Sequence, residues 1–397
     1  MLSKRIENMN PSVTVELTAK IEALQRKGRE ILTFNVGEPD FNTPDNICSA
    51  AKKAIDQGFT RYTPVPGILE LREAICKKLG DDNNLAYTPD EILVSTGAKQ
   101  SLINGVLALC DPGDEVMVPT PCWVSYLEMI KLAQSTPVSV GTRKEDGFQL
   151  DIEQIKQSLS PRTKAIILNT PNNPTGAVYR EETLRELGAL AVKHDFYIFA
   201  DEVYEKLVYT GEKHISIASL SPAIKERTIT INGLSKAYAM TGWRLGYAAG
   251  PEKIIKAMNS LQGHMTSAPN SITQKTAIEA LLGSQEPLTA MREKFDQRRQ
   301  YIVSRLNKMP GITCADAKGA FYVLPEVSSY YESRYKGKVL KHSADLCEFL
   351  LEEANIAVVP GAAFEAPDNL RISYSNSLEN IKEGMERMEK ALGLLKP

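Results

Sequence analysis

Apolar positions along the chain follow two alternating patterns. Leu102, Val106 and Leu109 fall at i, i+4 and i+7 after Gly97, the face of a helix. The turn Asp111-Pro112-Gly113-Asp114 leads into a short apolar run, Glu115–Val118, with strand character. Asp151 is placed to N-cap a helix with Ile152, Ile155 and Leu159 on one side. Ala165–Leu168 is a buried-strand pattern, followed by a Pro/Asn/Gly loop and a helix through Leu184, Leu187 and Ala191. Phe196–Ala200 and Thr228–Ile231 are the next strands, and Leu245–Ala249 is a further one, at an edge or antiparallel. Strands alternating with helices from about Asn46 to Gly283 predict a mostly parallel sheet covered on both faces.

The two ends of the chain carry a different pattern. Leu17, Ile21 and Leu24 mark a helix stopped by Gly28. Phe321–Leu324, Ile356–Val359 and Leu370–Tyr374 read as strands, and Ile381, Met385, Met388 and Leu392 as a final helix. A long helical pattern from Leu288 to Leu306 bridges the regions. The expected fold is therefore α/β, with a large domain over 46–285 and a smaller α+β domain built from 1–45 and 286–397.

Composition narrows the class. The 397 residues are 43% hydrophobic and 24% charged, as in an ordinary globular protein rather than a disordered one. Lys and Arg number 47 against 49 Asp and Glu, a net charge of −2, which offers no electrostatic case for nucleic acid or an anionic membrane. No apolar run is long enough for a membrane span, and MLSKRIENMNPSV lacks the apolar stretch of a secretory signal. The six cysteines form no C-x-x-C pair and the four histidines no H-E-x-x-H. A cytoplasmic, reduced, metal-free protein is the expectation.

Open α/β sheets bind ligands beyond the carboxyl ends of their strands. Here those ends carry Gly97-Ala98-Lys99, Asn169-Thr-Pro-Asn-Asn173-Pro-Thr-Gly176, Asp201-Glu-Val-Tyr204 and Asn232-Gly-Leu-Ser235-Lys236. Singly each has an ordinary explanation as a turn, an N-cap or a solvated charge; their convergence does not. One reading of Gly233-Leu-Ser-Lys-Ala is a damaged nucleophile elbow on Ser235, but Ala237 replaces its last glycine and Lys236 is too bulky beside the serine. His264 and His342 are available as bases, yet nothing in the sequence pairs them with Ser235.

The alternative makes Lys236 the functional group. A lysine in a partly desolvated pocket has a lowered pKa and can form a Schiff base with a carbonyl. Pyridoxal 5′-phosphate (PLP) uses such a lysine together with an acid against its ring nitrogen, which Asp201 can supply. Arg244 suits a phosphate through planar multidentate hydrogen bonds, and Gly97-Ala98 at a helix start adds backbone N–H donors.

The stretch from Gly233 to Gly246, with Ser235-Lys236 and Gly242-Trp-Arg-Leu-Gly246, resembles the lysine signature of class I aminotransferases, the fold type I PLP enzymes. The resemblance runs from Pro11-Ser-Val-Thr-Val and Gly37-Glu-Pro-Asp-Phe to Asn369-Leu-Arg-Ile-Ser-Tyr, and is greatest to the bacterial-type aspartate aminotransferases. It implies that Lys236 is the cofactor-linked lysine and proton carrier and that Asp201 pairs with the ring nitrogen. Tyr204 and Asn173 would bond the ring's phenolic oxygen, and Trp123 would stack on the ring. Arg244, Ser235, Gly97 and Ala98 would hold the phosphate, with Tyr62 reaching the phosphate of a neighbouring subunit; this implies a homodimer with shared sites. Arg371 would clamp the substrate α-carboxylate, helped by Asn173 and the Gly37 backbone.

Lys99 bears on the amino donor. The resemblance implies that it reads a distal carboxylate, helped by Ser12 and Thr14 of the partner's N-terminal segment. A cation on the first turn of a helix is electrostatically disfavoured, so its presence there leans towards a function. Aspartate, with a 2-oxo acid such as 2-oxoglutarate as acceptor in a ping-pong reaction, is the expected pairing. Prephenate and neutral or aromatic donors remain open. Cys122, before Trp123, departs from the aromatic residue of close relatives and leaves the pocket's fine shape open. The same fold type also serves PLP-dependent lyases, and a PLP-binding regulator would need an N-terminal DNA-binding domain for which no pattern exists here.

Overall fold

The computed structural model describes residues 2–7, 9–11, 13–209 and 211–396. The chain enters through the helix Val13–Arg26 and a two-residue strand, β1 (Leu32–Thr33). Seven strands then form the central sheet: β2 (Ile92–Ser95), β3 (Glu115–Thr120), β4 (Thr136–Gly141), β5 (Thr163–Asn169), β6 (Tyr197–Asp201), β7 (Thr228–Gly233) and β8 (Gly246–Ala249). Their order is β2-β8-β7-β6-β5-β3-β4. The sheet is parallel except for β8, which runs antiparallel to both β2 and β7. The expectation for Leu245–Ala249 is thus met in direction but not in place, since β8 lies inside the sheet. Gly246, Ala248 and Ala249 suit that interior position, where small side chains admit the neighbouring layers.

Apolar residues of the strands alternate between two cores. Ala165, Ile167, Phe199, Ile229 and Ile231 pack with Leu102 and Val106 of the helix Ala98–Leu109 and Met258 of the helix Glu252–Met265. Ile166, Leu168, Ile198 and Ala200 face the other way, against Leu184, Leu187 and Ala191 of the helix Glu181–His194. Fully burying each of the Ile, Leu, Val, Phe and Met side chains contributes roughly 1.5–3 kcal/mol. This two-sided burial explains why β5 and β6 read as continuous apolar runs rather than alternating ones.

After the long helix Glu286–Leu306, the chain adds β9 (Tyr322–Val323), the hairpin β10 (Arg334–Tyr335) and β11 (Lys338–Val339), then β12 (Ile356–Ala357), β13 (Val359–Pro360) and β14 (Leu370–Ser373). β13, β14 and β9 make an antiparallel sheet, and β12 pairs with β1 from the opposite end of the chain. The final helix Leu378–Leu392 packs on the helix Glu286–Leu306 and contributes Ile381, Met385 and Met388 to the core. Asp40, just after β1, holds Arg298 through two hydrogen bonds of 2.6 and 2.9 Å, with the guanidinium over the Phe41 and Phe295 rings. The two chain ends are thereby fastened together beside the central sheet. Among the described residues no helix is long and apolar enough to cross a membrane.

Candidate active site

A cavity of about 530 Å³ opens at the carboxyl edge of the central sheet. Its lining includes Gly37, Ala98, Lys99, Trp123, Asn173, Asp201, Tyr204, Ser235, Lys236, Arg244 and Arg371, so most of the residues expected from the sequence meet there. Gly97 adjoins it. Tyr62 does not line the cavity and stands 99% exposed on the surface of the chain. Ser12 and the side chain of Thr14 lie outside the described residues. The helix Val13–Arg26 lines the cavity of its own chain through Val15, Thr18, Ala19 and Glu22.

The reason for the convergence is topological. β5, β6 and β7 end side by side, bringing Asn169, Asp201 and the segment after Gly233 to one edge. Arg244 lies two residues before β8, whose antiparallel direction puts its first residue, Gly246, at that same edge. The helix Ala98–Leu109 starts there too, directly over Gly246: a methyl group on Gly246 would collide with the Ala98 nitrogen and the Gly97 carbonyl carbon. Gly97 itself has φ +84°, and a methyl group there would strike the Arg244 guanidinium. Two glycines therefore bring a helix N-terminus, with its unpaired N–H groups and positive dipole end, against an arginine. Arg244 takes a left-handed backbone conformation, φ 55°, and donates from Nη1 to the Thr241 carbonyl at 2.8 Å.

Lys236 donates from Nζ to the Gly37 carbonyl at 2.6 Å. Burial, with help from the charges of Arg371 and Arg244, lowers its pKa to about 8, although Glu38 and Asp201 pull the other way. Asp201 is fully enclosed, and burial raises its carboxyl to about 6. The Tyr126 hydroxyl at 2.6 Å from Oδ2 and the Val203 N–H at 3.3 Å from Oδ1 counteract that rise. Behind this strand end, Glu205 is paired with Lys78 and accepts from Asn83 at 2.7 Å. Against the upward push of burial, Lys78 and His214 hold its carboxyl down at about 2. This network fixes the segment Asp201–Tyr204 from the rear.

Arg371, 3% exposed, donates from Nη2 to the Asn35 carbonyl at 2.5 Å and from Nη1 to Asn173 Oδ1 at 3.4 Å, while its buried Nε has no partner. Its guanidinium lies over the Tyr322 and Phe364 rings, 4.8 and 4.7 Å from the centroids. Lys99 lies over the Trp123 ring at 4.6 Å and donates to Ser125 Oγ at 3.3 Å. Burial and the charge of Arg244 lower its pKa. Among the described residues none of Lys99, Lys236, Arg244 and Arg371 makes an ion pair with a carboxylate within 4.0 Å. Four cations thus line a cavity whose only carboxylates are Asp201 and Glu22. Such a site calls for anionic ligands with several acceptor oxygens.

Three site residues escaped the sequence reading. Tyr126 lies three positions after Trp123, one helical turn on. Tyr322 bonds the Tyr204 hydroxyl at 2.9 Å and lies in β9, where its pattern reads simply as core. Asn35 follows β1 in an otherwise apolar stretch. His264 and His342 do not line the cavity.

The geometry agrees with what known proteins show. The family model described as aminotransferase class I and II matches residues 29–388. Aspartate aminotransferase from Geobacillus stearothermophilus is 46% identical over 98% of both chains. Aspartate/prephenate aminotransferase from Cereibacter sphaeroides is also 46% identical over 98% of both. The structure of Thermus thermophilus aspartate aminotransferase with maleate superposes with a TM-score of 0.93 at 43% identity, over 98% of this chain and 99% of that one. The chain belongs to the class I and II aminotransferase family. The expected fold type I architecture and the bacterial aspartate aminotransferase likeness are both borne out.

Proposed function

We propose that this aminotransferase binds PLP in the cavity, takes L-aspartate as amino donor, and passes the amino group to a 2-oxo acid such as 2-oxoglutarate in a ping-pong cycle. The observation that carries this reading is the count of unpaired cations. Arg244 and the helix start at Gly97-Ala98, with Ser235, are the phosphate holders, and Lys236 is the reacting amine. Arg371 and Lys99 remain, and two spare cations fit a substrate with two carboxylates. The orphaned Nε of buried Arg371 supports the same demand for an added acceptor.

When bound, the cofactor supplies an aldehyde carbon that takes up the amine and a ring that withdraws the electron pair left as the substrate's Cα–H bond breaks. The protein's own groups do the rest. Asp201, whose carboxyl burial raises to about 6 in the free site, would pair with the ring nitrogen and keep it protonated. Tyr204 and Asn173 would hold the phenolic oxygen, and Trp123 would cover a ring face. Lys236 Nζ, whose pKa burial lowers towards neutrality, would be the group that accepts the Cα proton and gives it back. Arg371, braced by Asn173 and the Asn35 carbonyl, orients the α-carboxylate. Lys99 leaves Ser125 for the distal one.

The reading extends to a division of the chain into 46–285 and 1–45 plus 286–397, and to a cytoplasmic homodimer in which Tyr62 reaches the partner's phosphate site. The test is the visible absorption of the PLP-loaded protein during titration with L-aspartate and, separately, L-alanine. Conversion of the cofactor to its amine form at low aspartate and only at far higher alanine is expected; response to neutral or aromatic donors alone would remove Lys99 from its role. The name of the Cereibacter relative makes prephenate the second acceptor to assay, since it too carries two carboxylates.

A further inference from the structure

Tyr126 is 2% exposed on the helix Ser125–Leu132, and its hydroxyl lies 2.6 Å from Asp201 Oδ2. Its ring stands edge-on to Trp123, with centroids 5.3 Å apart and planes at 87°. Trp123 in turn lies beneath Lys99. A single side chain therefore touches both the acid proposed for the ring nitrogen and the aromatic plate proposed for the ring face. The groups acting on Asp201 come from several elements. Glu202 beside it on the chain disfavours its charge, while Lys236, after β7, favours it. The Val203 N–H donates to Oδ1, and Asn169 at the end of β5 donates to the Asp201 backbone carbonyl at 3.0 Å, fixing the main chain but not the carboxylate. Tyr204 and Cys122 neighbour Tyr126 itself, and burial keeps both protonated. Tyr126 is thus the only side-chain hydrogen bond recorded to the Asp201 carboxylate among the described residues.

We infer that Tyr126 is a positioning residue: its hydroxyl aims the Asp201 carboxylate and sets the lower pH limit at which that carboxylate pairs with a protonated ring nitrogen. The inference rests on the PLP reading and deepens it. A hydrogen bond to a charged acceptor stabilises the ionised form, so its loss raises the pH at which Asp201 takes up a proton. The tyrosine hydroxyl stays protonated throughout the relevant range, since burial and the Asp201 charge hold its pKa far above the usual tyrosine value. It acts as a fixed donor.

The test compares the wild-type protein with Tyr126→Phe, which keeps the ring against Trp123. PLP dissociation constants of the two apoproteins are measured by tryptophan fluorescence between about pH 5 and 8.5. The ligand's own titrations are common to both and cancel in the ratio. The expected acid limb lies about one pH unit higher in the variant, so that affinity is about tenfold weaker near pH 6 and changed by less than about threefold at pH 8.5. A uniform loss at every pH, or no change, would overturn the inference. A second readout needs no cofactor: the protonated-carboxyl infrared band of the apoprotein, assigned by its loss in Asp201→Asn, should reach half intensity about one pH unit higher in Tyr126→Phe. Wild-type apoprotein that fails to bind PLP would sink the cofactor reading alone, and coincident infrared titrations would sink the Tyr126 inference alone.

Discussion

A lysine placed among Arg244, Arg371 and enclosing protein gives up its proton more readily than one in water, and that tendency has an energetic cost when the site is empty. In the unfolded chain the amine holds its proton to about 10.5; in the folded protein it releases it near 8. Below about pH 8 both states are protonated, and the folded state bears the full cost of a charge that is buried and lies near Arg371 and Arg244. Between about 8 and 10.5 the unfolded chain binds more protons, so the cost fades as pH rises. Lys236→Met should therefore make the apoprotein more stable at pH 7, by about 0.5–2 kcal/mol as for other relieved functional sites, and the gain should shrink towards pH 10 in urea unfolding. A gain that is flat with pH would point to packing instead. Turnover should meanwhile fall at least about 10³-fold in Lys236→Ala, measured with aspartate and 2-oxoglutarate. Lys99 is separable from this chemistry. Lys99→Ala should cut kcat/KM for aspartate by about 10–100-fold, the loss of a charged hydrogen bond, while leaving alanine within about threefold. Equal losses for both donors would retire the distal-carboxylate role.

At the level of elements, the phosphate side of the cavity depends on how closely β8 admits the helix Ala98–Leu109. Gly246 faces backbone atoms of Gly97 and Ala98 that cannot swing aside as a flexible side chain would. Gly246→Ala should cost about 1–3 kcal/mol in urea unfolding and weaken PLP binding at least about tenfold, because the helix start must withdraw from the phosphate position. Retained affinity would place the phosphate elsewhere. The strand ends that carry this chemistry were legible in the sequence: β5 and β6 announce themselves by apolar runs that end in Asn169 and Asp201, and β7 by the Thr-Ile alternation that ends in Asn232-Gly233. β2 and β4 were not. β2 is only four residues long, and β4 is an edge strand, half exposed and interrupted by Pro137, so neither shows a clear period. Ile356–Val359 reads as one strand but is two, β12 pairing with β1 and β13 with β14. Local pattern shows that a segment is extended and does not show its partner. The same limit hid Tyr126 and Tyr322, whose roles come from contacts across 75 and 118 residues of chain.

At the scale of the whole molecule, one chain leaves conspicuous apolar groups in water. Tyr62 is almost wholly exposed, and Ile55, Leu69 and Leu282 are about half exposed on the helices Asp45–Asp56, Leu69–Asn83 and Ser271–Leu282. Those three helices pack together, so their outward faces belong to one side of the molecule. A second copy of the chain covering that side would remove this surface from water and could bring Tyr62 to another cavity. The arrangement has a consequence that no single-chain variant can reveal. In a heterodimer of Lys236→Ala and Tyr62→Ala chains, shared sites would contain either both substitutions or neither: the intact Lys236 would meet the intact Tyr62 of the other chain. Roughly half of the wild-type activity per dimer should then return, although each variant homodimer is impaired in all its sites. If Tyr62 served its own chain's cavity, every Lys236-bearing site would also carry the Tyr62 substitution, and the heterodimer would show no more than half the activity of the Tyr62→Ala homodimer. Purifying the mixed species through two different affinity tags and assaying it with saturating PLP separates these outcomes, with sedimentation velocity on the same sample establishing that it is a dimer.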